Sequence, residues 1–494
     1  MTLLPEIILT IAAVALILLD AFSKKSDIEL IGKLAMFGVL LSFVTTFWYP
    51  PEVVGYGASL WQGLFALDPL AIFFKRFFLI TLFIVLAMSF GPARRIRMGA
   101  AESFILPMFT AVGMMILASA VNLMLIFVGL ELVTISFYVL VALKRHDRKC
   151  LEAGVKYLIV GALSTGFLVY GMAFVFGVAG TTSLESLSGY LNFDSPVEAG
   201  MLLAVILLIV GLGFKLASVP FQIWAPDVYQ GAPTPVTAFL SVGSKAAGIV
   251  VVLRVFAFAG FGYSDVIPYV GSVFVVMAAL SALLGNLAAI PQRNLKRLLG
   301  YSSIGHAGFL LMALSCIKST QLGYTISDRG VQACLIYLVV YLLSALLAFY
   351  IISQHEEEIG GDDFKAYSGL AQRSPLLAFG MLVSFVSLAG IPPLAGFLGK
   401  FAIFAAIWEV GNIGLVIVAV LSALAGLYYY LGVVRSMYWS PATNENTAIT
   451  VGGGGKLIIG ILCVLIILLG VWHKPVEAMV SPVLSSEPLT ESSY

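Results

Sequence analysis

Charge is scarce in this chain. Asp, Glu, Lys and Arg make up only 11 % of its 494 residues, against roughly 25 % in soluble domains. So few charges cannot clothe a water-facing surface, which excludes an ordinary soluble globule. The charges nearly cancel, to a net +1, which argues against nucleic acid as a partner. Cysteine is sparse too. Cys150, Cys316, Cys334 and Cys463 lie far apart and form no CxxC, so neither a disulfide framework nor an iron–sulfur site is expected. The four histidines are scattered without metal-ligand spacing. There is no Walker motif and no GxGxxG on a strand-to-helix turn, so ATP and dinucleotides have no cradle. No cofactor is expected in this chain, and whatever energy drives it arrives from elsewhere. Long hydrophilic stretches are also missing, so no separate soluble domain is expected.

What is present is apolar. Hydrophobic residues make up 60 % of the chain and the mean hydropathy is +1.03. This composition specifies an all-α polytopic membrane protein in a single membrane domain, 1–494. A spanning helix needs about 20 apolar residues, and about 14 such runs can be placed along the chain. The first, Leu3 to Phe22, lacks a basic n-region and carries Glu6, so it reads as a spanning helix and not as a cleaved signal peptide. Basic residues alternate between loops. The odd loops carry Lys24, Lys25, Lys33, Arg94, Arg95, Arg97, Lys144, Arg145, Arg148, Lys149, Arg293, Lys296, Arg297, Lys365, Arg373, Arg435 and Lys456. The even loops are nearly bare, apart from Lys318 and Arg329. This places the odd loops in the cytoplasm and both termini outside. The loop at 354–375 adds Glu356, Glu357, Glu358, Asp362 and Asp363; it reads either as a solvated loop or as a docking surface for a neighbour.

The ionisable residues inside the apolar runs carry the functional signal, because each costs roughly 2.5 to 3.5 kcal/mol on insertion scales. In GLGFKLASVPFQIWAPDVYQGAPTPV, residues 211–236, Pro220 removes a helix hydrogen bond and Pro226, Pro233 and Pro235 stop a regular helix from continuing. Lys215 sits one turn before that break. In SLAGIPPLAGFLGKF, residues 387–401, Pro392 and Pro393 free the carbonyls of Leu388 and Ala389, and Lys400 follows. Freed backbone in a membrane must be buried in protein or line a wet cavity. The two breaks fall in the seventh and twelfth spans. Five-helix units in tandem are inverted relative to each other, and paired interruptions point to an inverted-repeat transporter. The expected division is helices 1–3 over 1–91, a first repeat (spans 4–8) over 103–258, a second (spans 9–13) over 266–438, and a last helix and tail over 456–494.

Further ionisable groups sit in other spans. Lys245 is near the middle of the eighth, among Ser241, Gly243, Ser244, Ala246, Ala247 and Gly248, small residues that allow close packing and room for water. Glu131 is mid-span in the fifth. Lys156 begins the sixth and reads either as a functional lysine or as one that snorkels to the interface. His306, in LKRLLGYSSIGHAGFLL, is either a hydrogen-bonded structural histidine or a proton-relay member. Arg254, nearer the end of its run, is expected to snorkel; Lys75 and Arg76 are expected to be anchors or packing charges. A Glu131–lysine pair at about 4 Å, with an effective dielectric near 20, is worth about 4 kcal/mol. Moving a charge against 100 mV costs about 2.3 kcal/mol. Such a pair could therefore switch a lysine between holding and releasing a proton.

Three runs carry a family resemblance: PFQIWAPDVYQGAPTPVTAFLSVGSK, LKRLLGYSSIGHAGF and GIPPLAGFLGKF. With the fourteen-span layout they resemble the subunit N family, antiporter-like membrane subunits of proton-pumping NADH:quinone oxidoreductase (respiratory complex I). The resemblance covers nearly the whole chain, and PDVYQGAPTPV is its most specific element. It implies that Glu131 and Lys215 are the paired carboxylate and lysine, Lys245 the central relay and Lys400 the exit-side lysine. It implies a modulating role for Lys156 and a relay role for His306. It further implies a bacterial inner (cell) membrane, other membrane-arm subunits as partners, and NADH, FMN, iron–sulfur clusters and quinone handled by other subunits. The chain departs from some members at Gln222, where they carry His; an amide holds water but cannot titrate. Three alternatives stand beside this reading: the large subunit of a multi-subunit cation/proton antiporter, a membrane subunit of a related hydrogenase or F420H2-type complex, and a structural subunit with dead channels. The complete set of Glu131, Lys215, Lys245 and Lys400 speaks against the last. A lysine-rich relay with one carboxylate favours H⁺ over Na⁺, which wants several oxygen ligands.

Overall fold

The computed structural model describes residues 3–23, 27–49, 59–60, 63–95, 99–190, 199–258, 260–262, 264–320, 323–358, 361–441 and 449–484. Of the basic residues used for orientation, Lys24, Lys25 and Arg97 lie outside these. The molecule is built of helices: α1 (Leu4–Phe22), α2 (Ile28–Thr45), α3 (Pro69–Arg95), α4 (Glu102–Ser119), α5 (Leu123–Val141), α6 (Arg148–Ala179), α7 (Ala199–Leu216), α8 (Thr234–Phe258), α9 (Ile267–Ala289), α10 (Leu295–Leu314), α11 (Asp328–Glu358), α12 (Pro375–Ala389), α13 (Ala395–Glu409), α14 (Ile413–Trp439) and α15 (Gly453–Val471). Among the described residues, twelve helices are long and apolar enough to cross a membrane: α1 to α9, α11, α14 and α15. The remaining three, α10, α12 and α13, pack among them. The twelfth expected span is therefore two helices, α12 and α13, of 15 residues each.

Helix starts follow local chemistry. Asp27, Asn122, Asp147, Asn294 and Asn412 each accept a hydrogen bond from a backbone N–H of the following first turn, satisfying donors that no helix can pair internally. Among the elements not expected from the sequence, two stand out. One is a hairpin that pairs Ile317–Thr320 with Gly323–Ile326. The other is an amphipathic helix, Lys474–Leu484, which buries Val476, Val480 and Val483 and packs on α3 and α11.

Burial sorts the helices. Every residue from 234 to 257 of α8 is buried, and α11 is almost as enclosed. By contrast α1, α6, α14 and α15 present long apolar faces outward, as a lipid-facing perimeter requires. The centre is therefore α8 and α11, with α10 packed beside α11 and along α9.

One expectation fails here. Arg254 does not snorkel: it is 1 % exposed. Its guanidinium grips the Asp68 carboxylate through both terminal nitrogens, with Nη2 2.7 Å from Oδ1, and Nε donates to the Ala118 carbonyl at 3.1 Å. Asp68 also caps α3 through the Ala71 N–H. A buried charge is tolerated when paired and hydrogen-bonded, and here the partner comes from a distant loop. Lys75 is likewise buried and pairs with Glu6 at 2.8 Å. Arg76 donates to the Thr46 carbonyl at 2.9 Å and so anchors the end of α2.

Candidate functional site

Both proline breaks are present, and each satisfies its freed backbone within protein. At the first, α7 stops at Leu216. The Ser218 N–H and hydroxyl both donate to the Gly213 carbonyl at 3.0 Å. Trp224 Nε1 donates to the Phe214 carbonyl at 3.2 Å, and Ser281 Oγ of α9 accepts from the Val219 N–H at 2.8 Å. The chain then forms a short helix, Ala225–Gly231, before α8 begins. At the second break α12 ends on Gly390, whose φ of +85° suits glycine. The Gly396 N–H donates to Ser387 Oγ at 3.0 Å, and a Cβ on Gly396 would lie 1.6 Å from the Ser387 carbonyl oxygen. Lys400 reaches back from α13 and donates to the Ala389 carbonyl at 2.8 Å, one of those the prolines were expected to free. The negative end of the α12 dipole thus holds an ammonium. The lysines sit differently at the two breaks: Lys215 is at the end of the first half-helix, Lys400 within the second.

Glu131 and Lys215 are not in direct contact. The Glu131 carboxylate accepts a hydrogen bond from Thr165 Oγ1 of α6 at 2.8 Å. Lys215 is buried and donates to Thr134 Oγ1, one turn along α5 from Glu131. A threonine hydroxyl stands where an ion pair was expected, because Thr134 and Glu131 share a helix face and Lys215 reaches the nearer group.

Lys245 lies at the centre of α8, directly after a π-helical turn, Leu240–Ser244; a second π turn, Arg254–Phe258, ends the helix. Such turns are rare and concentrate at functional positions. Lys245 Nζ donates to Ser303 of α10, at 2.6 Å to Oγ and also to the carbonyl. It stands 5.2 Å from the Tyr341 ring centroid. Around it, Tyr229 OH and Ser303 Oγ are 2.8 Å apart, and Ser241 Oγ and Tyr341 OH 2.7 Å.

One turn on from Ser302 and Ser303, His306 has both ring nitrogens engaged. Nδ1 is 2.5 Å from Tyr337 OH and Nε2 is 3.1 Å from Tyr430 OH. Tyr430 OH also bonds Ser302 Oγ. His306 further lines a small cavity with Tyr337, Tyr341, Ser344, Ser387 and Lys400, roomy enough for about one water molecule. Lys245 with Ser303, the adjacent Ser302 with Tyr430 and His306, and the cavity shared by His306 and Lys400 thus lie along one buried polar line.

Lys156 lies apart from that line. It is partly exposed and pairs with Glu152 and with Asp227, each at 2.7 Å. Asp227 also receives Arg297 Nη1 at 2.5 Å, so the short helix at the first break is clamped between α6 and α10. Gln222 has a buried side-chain oxygen with no protein partner among the described residues. The acidic end of α11 and the loop after it fold back on their own chain: Glu356 and Asp362 face Lys296 at 3.3 and 3.7 Å. Among the described residues no group of three His, Cys, Asp or Glu could hold a metal ion.

The sequence located the charged members, and Ser302 and Ser303 beside His306, but missed Thr134, Thr165, Tyr229, Tyr337, Tyr341 and Tyr430. One signal was available: Tyr337 and Tyr341 are one turn apart on α11, level with the Ser302–His306 cluster of α10.

Residues 120–426 match the family described as "NADH:quinone oxidoreductase/Mrp antiporter, TM". A relative from Rhodospirillum rubrum, "NADH-quinone oxidoreductase subunit N", is 37 % identical over 454 residues, covering 90 % of this chain and 89 % of that one. A chain of "Respiratory complex I from Thermus thermophilus with bound Aureothin" superposes with a TM-score of 0.78 at 32 % identity, over 96 % of this chain and 99 % of that one. A chain of the "Mrp complex from Dietzia sp. DQ12-45-1b" superposes at 0.82 with 20 % identity, over 97 % and 96 %, which shows a shared fold. The polar line inside an all-helical membrane protein and these likenesses lead to one conclusion: the chain belongs to the NADH:quinone oxidoreductase/Mrp antiporter transmembrane family, among its subunit N proteins.

Proposed function

We propose that this chain is a proton-translocating membrane-arm subunit of NADH:quinone oxidoreductase. Electron transfer from NADH to quinone in other subunits drives proton movement along its buried polar line. The observation that carries the reading is that line itself. Lys245 and Lys400, both buried, stand at its ends: Lys245 bonds Ser303, the adjacent Ser302 bonds Tyr430, Tyr430 bonds His306, and His306 and Lys400 line one small cavity. Every member is a group that can accept or donate a proton.

In this reading Glu131 and Lys215 form the input pair, each held by a threonine hydroxyl, Thr165 and Thr134. Lys245 is the central relay, His306 a connecting relay, and Lys400 the exit-side lysine. Lys156 tunes the input end through Asp227. The fold is read as fourteen spans, with α10 as the tenth and α12–α13 as the twelfth, in two inverted five-helix repeats over 103–258 and 266–438. Helices over 1–91 precede them, and a last helix and tail over 456–494 follow. Both termini face the outer side. The chain binds no NADH, flavin, iron–sulfur cluster or quinone; those belong to neighbouring subunits of the complex in the cell membrane.

The deciding experiment is purification of the chain from its native membrane in mild detergent, with mass spectrometry of what accompanies it. Iron–sulfur, flavin and quinone-site subunits are expected. Recovery of small antiporter subunits alone would replace this reading with a cation/proton antiporter, the function closest to it within the same fold.

A further inference from the structure

Three asparagines of this chain start helices: Asn122, Asn294 and Asn412 cap α5, α10 and α14. Asn286 does not. It lies within the spanning helix α9 and is 5 % exposed. A buried amide in a membrane helix is costly and calls for a reason. The proton line proposed above does not use it.

The Asn286 amide is held at both of its polar atoms. Nδ2 donates to the Ala282 carbonyl one turn back at 2.7 Å, and Oδ1 accepts from the Tyr429 hydroxyl of α14 at 2.9 Å. Two glycines open the slot for it. A Cβ on Gly305 of α10 would lie 2.6 Å from Nδ2, and one on Gly426 of α14 would lie 3.3 Å from Oδ1. The amide therefore rests against the turn of α10 that carries Ser302 and His306. Tyr429 is buried, and its ring centroid stands 4.5 Å from that of Tyr430. Tyr430 also meets the Phe385 ring at 5.2 Å. Within the polar line, the single Tyr430 hydroxyl serves two partners, Ser302 Oγ and His306 Nε2. A phenol that must reach both has little latitude, because hydrogen bonds weaken steeply as their geometry degrades.

We infer that Asn286 is a positioning residue for the proton line: it fixes Tyr429, and Tyr429 braces the ring of Tyr430 so that its hydroxyl stays between Ser302 and His306. The inference rests on the function proposed above. Asn286 acts through Tyr429 and carries no proton itself; what it contributes is the placement of one oxygen. A phenol hydroxyl has one proton to give and lone pairs with which to receive another. In passing a proton along the line, Tyr430 accepts one from one neighbour and gives its own to the other, so O–H and N–H bonds exchange and their number is unchanged. Both contacts must be made at once, which is why the ring is braced. A bond that merely tied α9 to α14 would behave differently. Its loss would lower assembly or stability and leave proton transfer in the surviving complex untouched.

The test uses the assembled complex in inverted membrane vesicles, reading NADH-driven acidification and its solvent deuterium effect per assembled complex, with assembly measured on native gels. Asn286→Leu and Tyr429→Phe are each expected to slow acidification about three- to tenfold, the loss of one positioning hydrogen bond, and to raise the deuterium effect. Asn286→Asp, which keeps an oxygen for the Tyr429 hydroxyl, is expected to recover most of the rate. The Asn286→Leu/Tyr429→Phe double variant is expected to be no slower than the slower single one, because both changes break the same bond. Lys245→Ala serves as the reference. Full-rate acidification per assembled complex in both single variants, with Lys245→Ala inactive, overturns the positioning role and leaves the proposed function standing. A double variant whose losses multiply overturns it too. Full-rate acidification by Lys245→Ala overturns the proposed function and the inference with it. Should Asn286→Leu fail to assemble, Tyr429→Phe alone decides, since it removes one oxygen and keeps the ring beside Tyr430.

Discussion

At the scale of single residues, each ionisable group of the candidate site has a hydroxyl or carbonyl partner in place of a counter-charge. Lys245 has Ser303, Lys215 has Thr134, Lys400 has the Ala389 carbonyl and Glu131 has Thr165. A lysine held by neutral oxygens can lose its proton without stranding a buried carboxylate, whereas a tight ion pair resists that loss. Lys245→Ala and Glu131→Ala are therefore expected to cut proton pumping and coupled NADH:quinone turnover while the complex still assembles. Vesicle acidification and native gels read the two effects, and unchanged pumping in both variants would remove the proton path. Thr134→Val is expected to give a smaller loss, about 1 to 2 kcal/mol in barrier, or roughly five- to thirtyfold in rate. Wild-type rates in that variant would show that the Thr134–Lys215 contact is incidental. The charged residues were legible from the sequence because a Lys or Glu in an apolar run has no ordinary explanation. Their partners were not. Thr134, Ser303 and Tyr430 are common residue types, and which helix face they occupy opposite which lysine is decided by packing between spans far apart in the chain.

At the scale of elements, the proline breaks were readable residue by residue, since Pro392 and Pro393 cannot donate to the carbonyls they follow. That Lys400 returns to cap Ala389 required the turn at Gly390 and the contact at Gly396. Gly396→Ala places a methyl group against the Ser387 carbonyl. It is expected to destabilise the α12–α13 junction by about 1–3 kcal/mol, visible as a lower melting temperature of the detergent-solubilised complex. An unchanged melting temperature would mean that the junction relaxes freely. Arg254 was misread for a physical reason: position along a run suggests snorkelling, but the Asp68 carboxylate that caps α3 lies beside it in the fold. Asp68→Asn leaves a buried guanidinium without its counter-charge. The expected cost is about 3–5 kcal/mol, read as loss of thermal stability or of the folded chain in membranes. Arg254→Met leaves the buried Asp68 carboxylate without its counter-charge, although still bonded to the Ala71 N–H, and is expected to cost a similar amount.

For the whole molecule, hydropathy delivered the all-helical membrane class. The hairpin at 317–326 and the helix Lys474–Leu484 were beyond it, being too short or too mixed in composition to stand out from loops. The proposed orientation puts the C-terminal helix outside. An alkaline phosphatase fusion after Leu484 is therefore expected to be active and a fluorescent-protein fusion dark; the reverse pattern would invert every direction assigned to the proton path. The complete enclosure of α8 bears on biogenesis as well. As it leaves the ribosome this helix carries Lys245 and Arg254 into the bilayer at roughly 2.5 to 3.5 kcal/mol apiece. The serine and the tyrosines that later receive Lys245 come from α10 and α11, which have yet to be synthesised. Until they emerge, α8 is a poor passenger in lipid, best kept beside the insertion machinery or behind α3 and α4, already made, where Asp68 and the Ala118 carbonyl can take Arg254 at once. The arginine clamp at its far end thus doubles as an assembly device, docking the helix early so that its central lysine can wait for its partners.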